Sequence, residues 1–377
     1  MKNKWDIPII LQPNELLSSW LIRTALANGC DPLIVSWVIW GKWRAWTNDI
    51  DRNPGEDRMH TLSKFSGKDL DDLNQSILLP IASTILGREP TANELWPWLL
   101  TTGTRNRLRK GGIQYCVECL KEDKKPYFRR EWRFAWHVGC SKHGQSLRDS
   151  CPHCNAPLEP HRLVAEDREI TKCVSCNLRL LDVMVLPVFH ADAMLFQIWS
   201  DNILNHQQQP VVHGMAVSVS SWFEIARYYE SFIRRCLISP PPALQSLSES
   251  LNFRLDQNII ADVELIAFEQ MNVRARSALL KSIFKLMAFT QDELLHKLTE
   301  ASVTKQGFSN AKIKFPETLE PIARCLPDNQ RAKKKATTRK TNIQLNLPKP
   351  RPHWEVNRMW KQLLQKMQDD PDYGNGI

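Results

Sequence analysis

Apolar side chains recur every three or four positions at Leu16, Leu17, Trp20, Leu21 and Ala25, which predicts a helix with one buried face. Asn14 is placed to cap it and Gly29 to end it. Asp31 followed by Pro32 reads as a second start, with Leu33, Val35, Trp37, Val38 and Trp40 along the next helix. Two helices joined by Asn28-Gly29-Cys30 make a helix-turn-helix-like unit, a signature that any helical hairpin shares. Trp37, Trp40, Trp43 and Trp46 recur every three residues. On a helix they spiral slowly around one side, and core-filling rings are preferred to a nucleotide-stacking strip. Asn48 to Arg52 suits a loop or a helix start, with its carboxylates read as caps and salt-bridge partners rather than cation ligands. Ser66 to Leu78 predicts a further capped helix through Leu70, Leu73 and Ile77.

The helical pattern returns late in the chain. Trp222, Ile225, Ala226, Tyr229, Phe232, Ile233 and Cys236 form one stripe, stopped at Ser239 by three prolines. Leu279, Leu280, Ile283, Phe284 and Met287 form another. Thr290 and Glu293 then make a capping box ahead of Leu294, Leu295 and Leu298. Helix, short turn and capped helix again allow a helix-turn-helix, with plain helical packing somewhat preferred. The fold class is therefore mainly α. Four segments are expected: a helical N-terminal domain (1–112), a cysteine-rich module (113–186), a helical C-terminal domain (187–326) and a basic tail (327–377).

Composition sharpens this picture. The chain has 377 residues, 42% hydrophobic and 24% charged, as expected of a globular protein with two or three domains. Its net charge is +9, and the excess is local. Arg331 to Arg351 holds eight basic residues, Lys333, Lys334, Lys335, Arg339 and Lys340 among them, and no acid. Without that stretch the chain is nearly neutral. The tail reads as a disordered arm with a short amphipathic helix over Trp354 to Met367. Phosphate attraction and a solvated linker weigh equally as its use. No apolar run approaches the ~20 residues that cross a bilayer, and no signal-peptide pattern opens the chain. A soluble, cytoplasmic protein is expected, in which ten cysteines point to metal more than to disulfides.

Those cysteines carry the strongest chemistry. Cys116-x2-Cys119 is followed after twenty residues by Cys140-x2-His143; Cys151-x2-Cys154 and, eighteen residues on, Cys173-x2-Cys176 follow. A two-residue gap lets both side chains of a turn reach one ion, and two such turns complete a tetrahedron. The spacing predicts a tandem zinc-finger module with two Zn2+ per chain. One site takes three cysteines and a histidine, the other four cysteines. Sequential pairing is simplest, and an interleaved cross-brace has the same spacings. With four protein ligands each, both ions are expected to be structural. His137 and His153 are read as packing or supporting residues, and Cys30, Cys236 and Cys325 as buried small apolar side chains. Arg105, Arg107, Arg109 and Lys110 precede the module. Arg129, Arg130 and Arg133 interleave with Phe128, Trp132, Phe134 and Trp136. Such residues can grip phosphates and stack bases, or form a protein-binding hot spot. No P-loop, zinc-deaminase or G-x-S-x-G pattern occurs, and no catalytic residue is assigned.

Pro13-Asn-Glu-Leu-Leu-Ser-Ser-Trp-Leu-Ile-Arg23, then Ala27-Asn-Gly29, then tryptophans before Asn48-Asp-Ile-Asp-Arg52, resemble the N-terminal half of the TniQ/TnsD family. The Cys116–Cys119 pair, Trp136-His137-x2-Cys140-x2-His143 and Cys151-Pro-x-Cys154 resemble that family's zinc module. The resemblance spans roughly residues 7 to 185. It implies a non-catalytic target-selection protein of Tn7-like transposons. Such a protein links attachment-site DNA, or a CRISPR RNA-guided Cascade-type complex, to an AAA+ ATPase (TnsC-like) that recruits the transposase. The intermediate length resembles Cascade-bound members. DNA contact through the basic regions, nucleoid association when engaged and an open question of homodimerisation go with it. The competing readings are a sequence-specific DNA-binding protein, either an attachment-site selector or a transcription regulator, and a zinc-associated nuclease, which would need an open metal position.

Overall fold

The structure, a computed structural model, describes residues 5–91, 94–102, 112–310, 313–328 and Trp360. Arg105, Arg107, Arg109, Lys110, Lys333, Lys334, Lys335, Arg339 and Lys340 lie outside the described residues, as does the expected tail helix apart from Trp360. All described residues but Trp360 fall in one unit, Met1–Asp328.

Helices α1 Leu17–Ala27 and α2 Pro32–Trp40 form the expected pair. Asn14 is not the cap of α1. Its backbone takes a left-handed φ of 57°, and its carbonyl accepts from the Arg130 N–H instead. Leu16 holds the cap position with no side-chain bond. Gly41 ends α2 at φ 62°, so Trp43 and Trp46 lie outside the helix. Trp37, expected to fill a core, is 66% exposed. The helix expected over Ser66 to Leu78 forms over a shorter span, and a separate helix ends at Ser66. Helix α3, Glu56–Ser66, ends at left-handed Gly67; α4, Leu70–Gln75, is capped by Asp69, whose carboxylate accepts from the Asp71 N–H. Helix α5, Leu79–Leu86, follows.

The cysteine-rich stretch carries α6 Val117–Glu122 and an antiparallel hairpin, β1 Gly139–Cys140 with β2 Gln145–Ser146. Beyond it run α7 Ala191–Leu204, a second hairpin of β3 Val211–Val212 and β4 Met215–Ala216, then α8 Val219–Leu237, α9 Pro242–Ser250 and α10 Gln257–Leu265. Helices α11 Val273–Ala288, α12 Gln291–Glu300, α13 Lys305–Ser309 and α14 Glu320–Arg324 complete the order. The stripe expected on α8 is buried, as is that on α11 apart from half-buried Phe284. The capping box of α12 forms, with the Thr290 N–H donating to the Glu293 carboxylate at 2.8 Å. Helix α11 packs mainly against α7 and α8. Among the described residues no helix is long and apolar enough to cross a membrane.

One large core runs from Leu16 to Leu326, and a smaller one from Ile9 to Ile77 fills the N-terminal helices. The large core crosses the boundaries expected at 112 and 186, because rings from all three segments close it. Trp98 lies 5.9, 6.0 and 5.2 Å from Phe196, Phe223 and Phe268, centroid to centroid. Trp136 lies 5.4 Å from Phe223. Described residues of segments 1–112, 113–186 and 187–326 thus share one core.

Two buried arginines stitch it. Arg133, 0% exposed, donates through Nη1 to Asp49 Oδ1 at 3.1 Å and to Asp51 Oδ2 at 3.0 Å, and through Nη2 to the Leu100 carbonyl at 2.7 Å. The carboxylates of Asn48–Arg52 are thus salt-bridge partners, as expected. Arg133 itself cannot grip phosphate, because it has no surface. Burial pushes Asp51 up to about 6, opposed by the Arg133 charge and helped by Asp49. Arg276 of α11, also 0% exposed, donates to the carbonyls of Ala135 and His137 and, at 2.7 Å, to Gln114 Oε1. Burial lowers it to about 10, still protonated at neutral pH.

Arg133→Ala strands two carboxylates in the core and is expected to cost about 3–5 kcal/mol in denaturant unfolding. Arg88→Ala, which breaks the solvent-facing pair with Glu94, is expected to cost far less, because water and salt screen an exposed pair. Equal losses in the two variants would contradict the assignment.

Candidate metal centres

Eight side chains foreseen as ligands meet in two groups, Cys116, Cys119, Cys140 and His143, and Cys151, Cys154, Cys173 and Cys176. The pairing is sequential. Within each group the ligand atoms lie within 4.8 Å of one another.

In the first group Cys116 precedes α6, Cys119 sits in its first turn, Cys140 lies on β1 and His143 in the turn between β1 and β2. Gly144 closes that turn with φ 60° and an N–H bond to the Cys140 carbonyl of 2.8 Å. Helix α7 seats the hairpin. Gln197 accepts from the Val138 and Gly139 N–H groups at 3.0 and 3.2 Å and donates to the Gly139 carbonyl at 2.9 Å. A Cβ on Gly139 would lie 2.3 Å from the Met194 sulfur, so glycine alone allows this approach.

The separations fit one ion per group. Sulfurs ~2.3 Å from a tetrahedral ion stand about 3.8 Å apart, and a sulfur and an imidazole nitrogen about 3.5 Å. The Cys119 and Cys140 sulfurs are 3.6 Å apart. His143 Nδ1 is 3.4, 3.3 and 3.5 Å from the sulfurs of Cys116, Cys119 and Cys140. In the second group Cys151 to Cys176 and Cys154 to Cys173 are both 3.7 Å. Sulfur-rich tetrahedral sets suit zinc, and four protein ligands leave no open position.

Supporting residues complete the first group. His143 Nε2 lies 3.0 Å from Glu122 Oε1, which directs the Nδ1 lone pair toward the sulfurs, the carboxylate–histidine arrangement of metal sites. Lys142 also pairs with Glu122. Hydrogen bonds from Lys142 and His143 hold the Glu122 carboxyl below its ordinary range. Gln145 Nε2 donates to the Cys116 sulfur at 2.9 Å. Sequence reasoning missed both; the signal for Glu122 was an acid one helical turn beyond Cys119. It also missed a repeated Cys-x-x-Cys-Asn. Asn155 and Asn177 follow the second cysteine of their pairs in left-handed backbone, φ 56° and 60°, and donate to the Cys151 and Cys173 carbonyls at 2.9 Å.

Residues 7–147 match the TniQ family model, from before α1 to just past the first metal group. This stretch is a TniQ domain. No curated protein matches the chain.

Outside the ligands, the arginines flanking the TniQ domain's metal group are engaged internally. Arg129 bonds both Asp123 oxygens, at 3.2 and 2.9 Å, and lies over the Tyr127 and Trp132 rings. Arg130 donates to the Gln75 carbonyl and, at 3.3 Å, to Asn14 Oδ1. Arg133 is the buried clamp described above. His137 is no ligand: its Nε2 lies 2.8 Å from Asp201 Oδ1 on α7. His153 is exposed. Cys236 is buried as expected, Cys30 is only partly buried, and Cys325 is exposed because it lies just past the end of α14.

Glu122→Gln is expected to weaken metal binding at the first group about 10–100-fold, read by chelator competition, and to leave the second unchanged. Burial works against a protonated His137, but the charge and hydrogen bond of Asp201 more than offset it, and the pKa is raised. Its contribution to stability is then fully present below the unfolded value of about 6.5 and lost as pH rises through the folded value. The melting temperature gap between wild type and His137→Gln should shrink from pH 6 to pH 9; a constant gap would count against a charged pair.

Proposed function

We propose that this TniQ-domain protein is a non-catalytic target-selection adaptor of Tn7-like DNA transposition, acting in the bacterial cytoplasm. It carries two structural Zn2+ ions and links a target, a Cascade-type complex or attachment-site DNA, to a TnsC-like AAA+ ATPase. The observation that carries the reading is the TniQ match over residues 7–147 together with two closed tetrahedral ligand sets. Closed sets stiffen a body and leave no position for an activated water. Thiolate and imidazole donors at these separations support zinc over a hard cation. The zinc-associated nuclease has no open metal position among these ligands to work from.

A sequence-specific DNA-binding role is the second reading. Helix α2, the second helix of the N-terminal pair, carries no charged residue and exposes Leu33, Ile34, Trp37 and Val38. That surface offers bases and phosphates few partners, which favours the adaptor. The basic stretch Arg331 to Arg351 supports unlocalised DNA attraction alongside it.

Pull-down with the cognate ATPase and effector tests the adaptor; zinc-loaded protein that captures neither refutes it. Deleting residues 331–377 should weaken DNA binding and flatten its salt dependence; unchanged affinity would make the segment a linker. A discrete footprint at moderate salt would favour the DNA-reading alternative.

A further inference from the structure

Helix α2 reads Pro-Leu-Ile-Val-Ser-Trp-Val-Ile-Trp, apolar on every side. Such a helix is ordinarily buried all round. Here Pro32, Val35, Ser36 and Ile39 face the core, and Leu33, Ile34, Trp37 and Val38 stand 51%, 55%, 66% and 56% exposed. A contiguous apolar face of this kind on a soluble body marks a binding surface.

A groove continues it. Trp37, Trp43 and Trp46 line the groove with Lys42, Arg44 and Arg162, and no carboxylate lines it among the described residues. Its walls are fixed before any partner arrives. Trp46 donates through its indole N–H to Ser36 Oγ at 3.0 Å and stacks on His161 with centroids 5.5 Å apart. Trp43 packs edge-on against Trp40 at 5.2 Å, beneath the Arg58 guanidinium. His161 and Arg162 sit on a 3-10 turn between the two halves of the second metal group. The TniQ helices and the metal module therefore build the groove jointly.

The charges name the occupant. Lys42 and Arg44 are exposed and have no ion-pair partner among the described residues, while Arg162 pairs with Glu159 at 2.8 Å. Preformed aromatic walls beside unanswered cations fit an anionic partner that brings rings or aliphatic groups. The aliphatic Leu33, Ile34 and Val38 add nothing to a nucleic-acid strand but match the apolar stripe of a helix.

We propose that the open face of α2 and the tryptophan groove beside it dock an amphipathic helix of another protein, with an apolar stripe flanked by Asp and Glu. This surface is one that the transposition reading leaves unassigned, and the inference does not depend on that reading.

The test uses the full zinc-loaded chain and three fluorescein-labelled probes, read by anisotropy. They are a leucine-striped helical peptide flanked by glutamates, the same peptide flanked by lysines, and an oligothymidylate. The glutamate peptide should bind saturably and the other two poorly. Trp37→Ala should weaken it about tenfold or more, and the double variant Lys42→Glu with Arg44→Glu should reverse the preference toward the lysine peptide. Trp37, Lys42 and Arg44 all reach solvent, so the fold is not at risk. Equal binding of both peptides, binding of neither, or a preference for the oligothymidylate that Trp37→Ala abolishes would overturn the proposal. So would sedimentation equilibrium showing a dimer that Trp37→Ala turns into monomer, since a second copy would then cover the face.

Discussion

Backbone that is buried without regular structure must find hydrogen-bond partners elsewhere, and in this protein two guanidinium groups supply many of them. The chain from Trp132 to Val138 runs through the middle of the body with little secondary structure of its own. Arg133 projects from it toward the N-terminal helices and ties Asp49, Asp51 and the Leu100 carbonyl. Arg276 reaches in from α11 on the other side and takes the carbonyls of Ala135 and His137. A guanidinium offers five donors in a fixed plane, so each can hold several acceptors at once. The cost is desolvation, which the pairing must offset although Arg133 Nε has no partner among the described residues.

The metal groups answer a related problem. Residues 113–186 hold one short helix, one hairpin of two-residue strands and several 3-10 turns, too little to bury a core unaided. A tetrahedral zinc contributes on the order of 10–16 kcal/mol in zinc-finger peptides, about what a whole small domain nets on folding. The two groups are not equally protected. Cys116, Cys119 and Cys140 are buried, and α7 backs their hairpin, whereas Cys154 is exposed and Cys176 partly so. The first group belongs to the core; the second reads as a ribbon pinned to the N-terminal helices by the Trp46–His161 stack and by the Ala165 N–H bond to Asp31 at 2.8 Å.

Legibility in the sequence followed the range of the interaction. Cysteine spacing is local, and it picked out the eight side chains that meet in two groups. Periodicity and capping are local too, which is why α8, α11 and the Thr290–Glu293 box were visible. Asn14 failed as a cap because its backbone is needed by Arg130, 116 residues away. Arg133 beside aromatic rings looked like a phosphate grip, and nothing nearby reveals that its partners lie 84 and 82 residues upstream. The boundaries at 112 and 186 follow from helical periodicity giving way to cysteine pairs, a pattern blind to Trp98 meeting Phe223 and Phe268. The tryptophan run failed at one residue, Gly41, whose positive φ turned a continuing helix into a groove.

Trp98 and its ring of partners also bear on how such a chain can diversify. The family match stops at Leu147, yet three rings that enclose Trp98 belong to residues 196, 223 and 268. Shared ancestry and foldability therefore have different borders here. A fragment cut at the limit of the match would carry a bare indole, and any lineage that exchanges the C-terminal helices must supply new aromatic neighbours to roof it.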